Sequence, residues 1–194
     1  SSDVCSSDLG NIEAYNQDFI NRYNQGELFE VDSIHFPDSL KYKTLINERT
    51  VYGGGGIMPD YFVPIDTTSG TMFHANLNAR GVINRAAIAE VDNNRRVLLD
   101  KYPDVIKFNK GYIIADELVG RLKTIAGEVD VEWNEEEFLK SQNLIFVQLK
   151  ALIARDLYDS SAFYRIINDE NDIYLEGLKI ISDESRYKEL LKGI

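Results

Sequence analysis

The sequence predicts an α+β chain that is mostly α, with short strands and a hairpin first and a helical bundle at the C-terminus. Three observations predict it. From Thr71 onward apolar residues recur at three- and four-residue spacing, the period of an amphipathic helix. Before that point Lys41 to Ile46 alternates, and Thr50 to Tyr52 returns after a turn at Asn47-Glu48-Arg49, the pattern of a hairpin. Between the two regimes lies Gly53-Gly54-Gly55-Gly56, followed by Ile57-Met58-Pro59-Asp60 and an alternating stretch, Tyr61 to Ile65, that predicts a further strand.

Residues 1–9 are set apart. Ser2 to Leu9 has no periodicity and is a peptide that a common short-read sequencing adapter encodes in one reading frame. We expect it to be an artefact of assembly, disordered, and the true chain to extend further upstream. Cys5 belongs to this stretch, so the remainder offers no thiol chemistry or disulfide framework. The formal charge is −11; Asp3 and Asp8 contribute two of those charges, and the rest carries −9. Such acidity argues against nucleic-acid binding, which needs a basic face. Eleven Tyr and nine Phe supply enough apolar surface for a packed core. No run of about 18 apolar residues is present, so no membrane span is expected.

In chain order, Asn11 to Gln25 predicts a helix with Ile12, Tyr15, Phe19 and Tyr23 on one face, stopped at Gly26. Glu27 to Pro37 predicts a loop with a short extended piece at Leu28 to Val31. The polar break Asp66 to Gly70 marks a boundary, giving a region 10–66 and a helical domain 67–194. Beyond it Phe73 and Leu77 begin one helix. Val82 to Tyr102 forms a long one, with Ile83, Ala87, Val91, Leu98 and Lys101 near one face, stopped by Pro103. Phe108 to Ile114 predicts a packed turn. Asp116 to Gly127 follows as a helix with Leu118, Leu122 and Ile125 inward. Asn134 caps a helix to about Asp156, with Phe138, Ile145, Leu149, Leu152 and Ile153 as its stripe and Glu135 to Glu137 favoured by its dipole. Ser160 to Ile167, Asp172 to Ile181 and Ser185 to Leu191 close the bundle.

No catalytic set emerges from the residues. The glycine run is not a phosphate loop, since Gly56 is followed by Ile57-Met58-Pro59 rather than Lys and Ser or Thr opening a helix. A tight backbone passage in a β segment explains it better. His35 and His74 lack metal-pair spacing, and no metal or cofactor is predicted. Ser185-Arg186-Tyr187-Lys188 matches a Ser-x-x-Lys string among charged residues, but its companion motifs are absent and a solvated helix face accounts for it. Asp169-Glu170-Asn171-Asp172 lacks the glycine and terminal Glu of a calcium loop.

Lys43-Thr44-Leu45, Arg49 to Asp60 and Phe62-Val63-Pro64 together resemble the C-terminal processing (tail-specific) serine peptidases, in the form found in Bacteroidetes-type bacteria. There a Gly-Gly-Ile-x-Pro-Asp string closes the peptidase core. Tyr15 to Glu27 and Asp32 to Leu40 are similar to the segment joining core and string, and Lys150 to Arg155 resembles that subgroup's tail, so that the resemblance covers nearly all of residues 11–194. The resemblance implies that residues 10–66 end a peptidase core and that 67–194 form its helical tail. It implies a Ser/Lys endopeptidase acting near protein C-termini, in the periplasm or cell envelope, on a protein or peptide substrate held by the upstream part. The nucleophile and base of the family lie upstream of the matching strings. No residue here matches them; Ser39 and Lys43 stand in the connecting segment, and the expected catalytic set of this chain is none. The alternative is a non-enzymatic helical binding or assembly module; separately, the apolar stripes of the helical tail suggest that it forms homo-oligomers or regulates access to the active site.

Overall fold

A computed structural model describes residues 12–27, 29–30, 33–34, 38–46, 48–53, 59–66 and 68–191. Among the described residues it is an α+β chain that is mostly α, with one small two-stranded antiparallel sheet and a helical bundle. The expectations at residues 1–9, His35 and Gly54 to Met58 lie outside the described residues. The chain divides into two compact units: Ser1–Asp66 with Glu176–Ile194, and Thr67–Leu175.

The first unit opens with α1 (Ile12–Asn24). It ends as the sequence predicts. Gly26 takes a left-handed backbone, φ 84°; its N–H donates to the Tyr23 carbonyl and that of Glu27 to the Arg22 carbonyl, each at 3.1 Å. This Schellman pair satisfies two orphan carbonyls of the last turn. Phe29 and Glu30 both donate to the Gly26 carbonyl and so continue the turn; the other ends of the expected extended piece, Leu28 and Val31, are not described.

A 3₁₀ turn (Asp38–Leu40) leads into β1 (Lys41–Lys43), which pairs antiparallel with β2 (Thr50–Tyr52) in the register Lys41–Tyr52, Tyr42–Val51, Lys43–Thr50. The ladder stops earlier than the alternation suggested. Thr44 closes the loop instead: its N–H donates to the Arg49 carbonyl and its hydroxyl accepts the Arg49 N–H, both at 3.0 Å. Leu45 and Ile46 are left at 101% and 91% exposure on the loop.

Gly53 follows β2 and donates to the Leu40 carbonyl at 2.8 Å. A Cβ there would stand 2.8 Å from Cε2 of Tyr42, so the backbone crosses the tyrosine ring at a distance open only to glycine. The expected strand Tyr61 to Ile65 does not form. Among the described residues the sheet has two strands, and Pro64 has no N–H to give a third. This segment is tied by side chains. Arg49 pairs with Asp60, and the Arg186 guanidinium of α9 (Glu184–Leu191) lies 4.9 Å from the Tyr61 ring centroid.

The second unit is built around one helix. Its elements are α2 (Met72–Ala79), α3 (Val82–Lys101), α4 (Val105–Gly111), α5 (Asp116–Glu128), α6 (Glu135–Leu157) and α7 (Ser160–Asn168); α8 (Asp172–Ser182) begins in it. Helix α6 packs against α2, α3, α4 and α7, and α5 packs on α3. The buried face of α6 carries Phe138, Ile145, Leu149, Leu152 and Ile153 as predicted, and adds Ser141, Ala151, Ala154 and Leu157. Ala86 and Ala87 of α3 are also fully buried, and such small side chains let packed helices approach closely. Arg95 of α3 donates to the Asp156 carbonyl at 2.9 Å, supplying a cation to the C-terminal end of α6.

Two expectations are corrected here. Lys101 is exposed, with its ammonium 5.2 Å from the Tyr102 ring centroid; Leu98 is the last residue of the α3 stripe. Phe108 to Ile114 is not a packed turn. Asp104 accepts the Lys107 N–H at 2.8 Å and starts a true helix, α4, one turn earlier. Phe108 is then fully buried, stacked on Tyr112 at 4.6 Å. Tyr102 donates to the Gly111 carbonyl at 2.9 Å, and a Cβ on Gly111 would meet the Tyr102 ring at 3.0 Å.

Leu149 is fully buried at the centre of α6, so Leu149→Ala should lower unfolding free energy by about 2–5 kcal/mol, measured by urea denaturation. A loss under about 0.5 kcal/mol would show that α6 is not the core. Amides of α3 and α6 should exchange more slowly than those of the exposed two-stranded hairpin; the reverse order would contradict this account.

Candidate functional site

A cleft of about 620 Å³ in the second unit lies between α2 and the turn that joins α5 to α6. Helix α2 supplies it through periodicity. Phe73 and Leu77 are buried inward, while Met72, Asn76 and Arg80 recur at four-residue spacing and line the cleft. Met72 is 72% exposed.

The opposite wall is set by how α5 ends. Asp130 adopts a left-handed backbone, φ 57°, where glycine is the usual residue. Its N–H donates to the Gly127 carbonyl at 3.4 Å and that of Val131 to the Ala126 carbonyl at 2.9 Å. This is the Schellman pair again, now with an aspartate at the strained position. The buried Val131 anchors the turn, and Asp130 and Glu132 on either side of it line the cleft.

Trp133 forms the floor. Its ring meets Phe73 edge-on at 5.0 Å and lies 4.8 Å from Phe138. The indole N–H donates to Glu135 Oε2 at 2.8 Å, and Lys123 Nζ donates to the same oxygen at 3.1 Å. The indole hydrogen bond, and after it the lysine, hold the Glu135 carboxyl below its ordinary 4.5. Beside it Asn134 Oδ1 accepts the Glu137 N–H at 3.0 Å, capping α6. Glu137 in turn accepts the Phe73 N–H at 2.7 Å, and Thr71 accepts that of His74 at 3.1 Å, so two side chains cap α2. Glu135 and Glu137 are thus consumed by structure. Arg80, Asp130 and Glu132 have no ion pair or side-chain hydrogen bond among the described residues.

The residues weighed from sequence fall elsewhere. His74 Nε2 lies 3.1 Å from Gln148 Oε1 and 2.9 Å from Asn78 Nδ2, a polar tie between α2 and α6. Lys43 donates to Thr50 Oγ1 at 2.8 Å across the hairpin, and Ser39 is exposed in the 3₁₀ turn. Lys188 pairs with Glu184 at 2.6 Å, and Ser185 is exposed on the same helix. None of these serines is hydrogen-bonded to a lysine among the described residues. Asp169 accepts from Asn109 at 2.6 Å, and no group of three or more metal-ligating side chains occurs among the described residues. A smaller hollow of about 350 Å³ between α4 and α7 carries Lys110 and Arg165, which lie in the last turns of those helices and offset their dipoles. No described helix is long and apolar enough to cross a membrane.

Sequence reasoning missed the cleft because its walls are some fifty positions apart and carry no shared motif. The one signal was the single tryptophan, set between acidic residues in a predicted break between helices.

Residues 73–159 match the model of a family of unknown function, DUF8443. The matched stretch runs from α2 through α6 to the N-cap of α7 and includes every cleft residue named except Met72. No curated protein and no solved structure matches the chain.

The bonded Glu135 carboxylate stabilises the fold above the carboxyl's ordinary value, and that contribution is lost as pH falls through the lower folded-state value. Trp133 emission should therefore titrate with a midpoint below 4.5, and Glu135→Gln should abolish the step. A midpoint at or above 4.5 would show that the indole and lysine contacts do not form in solution.

Proposed function

We propose that this chain is the non-catalytic C-terminal part of a tail-specific serine endopeptidase. It adds a hairpin to the peptidase core and carries a helical tail. The observation that carries the reading is the string Arg49 to Pro64 in its context, with its resemblance to the string that closes such a core. The hairpin geometry supports it. Among the described residues each strand has one hydrogen-bonded neighbour, and Tyr42 and Val51 on the strands and Leu45 and Ile46 on their loop are exposed, as befits a hairpin that completes a larger sheet. Gly53 crossing Tyr42 agrees with a close-packed closing segment.

On this reading the serine and its lysine base come from the core, with the lysine kept neutral by its site so that it can take the serine proton. The substrate is a protein or peptide held there, and the location is the periplasm or envelope. A second reading, a non-enzymatic helical binding module, is favoured by the cleft at Trp133, which needs no peptidase to form.

The genomic reading frame upstream of residue 10 separates the two. The peptidase reading expects a Ser/Lys core in frame, and the 194-residue chain alone should not cleave a peptide with an apolar C-terminus. An upstream frame without such a core, or hydrolysis abolished by mutating a serine of this chain, would overturn it.

A further inference from the structure

We propose that the cleft between α2 and the turn at residues 130–134 binds a short peptide with both termini free. Its carboxylate would lie on Arg80, its terminal ammonium on Asp130 and Glu132, and an apolar side chain between Met72 and Trp133. The inference stands on the cleft alone and does not depend on the peptidase reading.

The charges make the argument. Arg80, Asp130 and Glu132 line one cleft, yet none is ion-paired among the described residues. Elsewhere in the cleft the charges are used: Glu135 by Trp133 and Lys123, Glu137 by the α2 amide. Unpaired groups of both signs in one cleft select a ligand that carries both signs. A simple anion would meet Asp130 and Glu132, and a simple cation would meet Arg80. A guanidinium offers a fork that matches a carboxylate in two parallel hydrogen bonds.

The uncharged surface fits the same ligand. Trp133 and Met72 line the cleft; the indole, part of which packs on Phe73, Phe138 and the Lys123 ammonium, and the adaptable thioether both suit an aliphatic side chain. Asn76, with no side-chain partner among the described residues, can both donate to and accept from a peptide backbone. The volume, about 620 Å³, lies within the roughly 300–1,000 Å³ of small-ligand sites and leaves a single amino acid loosely held.

Trp133 is the only tryptophan, so its fluorescence and its indole N–H resonance both report on the cleft. The 194-residue chain should be titrated with alanyl-leucyl-alanine and with its N-acetylated and C-amidated forms. The free peptide should give a saturable change in both signals, and each blocked form should bind about tenfold more weakly or worse. Arg80→Gln should weaken the free peptide to the level of the amidated one and leave the amidated one unchanged. Asp130→Gly, which relieves the left-handed backbone and keeps the fold, should weaken the free peptide and leave the acetylated one unchanged. No saturable change in either signal up to about 10 mM, or equal binding of free and blocked peptides, would overturn the proposal.

Discussion

The second unit depends on the burial of one side of α6. Helices α2, α3, α4 and α7 each pack on it, and α5 reaches the core through α3. Helices as short as α2, α4 and α7 are marginal alone in water, so each is held by the apolar face it shares. The one polar residue buried in that face, Ser141, is fully satisfied. Its hydroxyl donates to the Glu137 carbonyl at 2.7 Å and accepts from Thr71 at 3.1 Å. Thr71 in turn caps α2, so the polar contact inside the core also fixes where α2 begins. Position and capping of the helix that forms the cleft wall therefore derive from α6.

Helix identity was legible wherever a 3.6-residue stripe ran for three turns or more. Phe138, Ile145, Leu149 and Ile153 are buried as their spacing requires. So was the cap at Asn134, because an asparagine before three glutamates has one obvious partner, the N–H of the third. Short elements were harder to read. Phe108 to Ile114 offered too few periods, and the decisive residue, Asp104, lay outside the apolar run. Tyr61 to Ile65 alternates as a strand does, but alternation states only which side chains share a face; it does not provide a partner strand. Ser141 escaped notice because a buried hydroxyl looks like any exposed one until its two partners are in place. The cleft was illegible for a related reason. It joins α2 to a turn distant in sequence, and only tertiary structure shows which of its carboxylates are already engaged.

The division between engaged and free charges distinguishes the site from the rest of an acidic surface. Glu135 and Glu137 sit three positions or fewer after Asn134 and serve helix ends and the indole. Asp130 and Glu132, at the other end of the same turn, have no such duty among the described residues. The two Schellman turns make the same contrast. Gly26 ends α1 with the residue that the backbone prefers, whereas Asp130 ends α5 with one that it merely tolerates.

The central place of α6 also bears on synthesis. The ribosome makes α2, α3, α4 and α5 before α6. Until Leu157 has left the exit tunnel, the faces around Leu77, Val91 and Phe108 lack their main partner. At about 5–20 residues per second, the interval between completing α2 and completing α6 is on the order of several seconds. For that time the nascent chain presents apolar helices to its surroundings. A chaperone that binds exposed hydrophobic segments would find its longest opportunity there, and the emergence of α6 would end it.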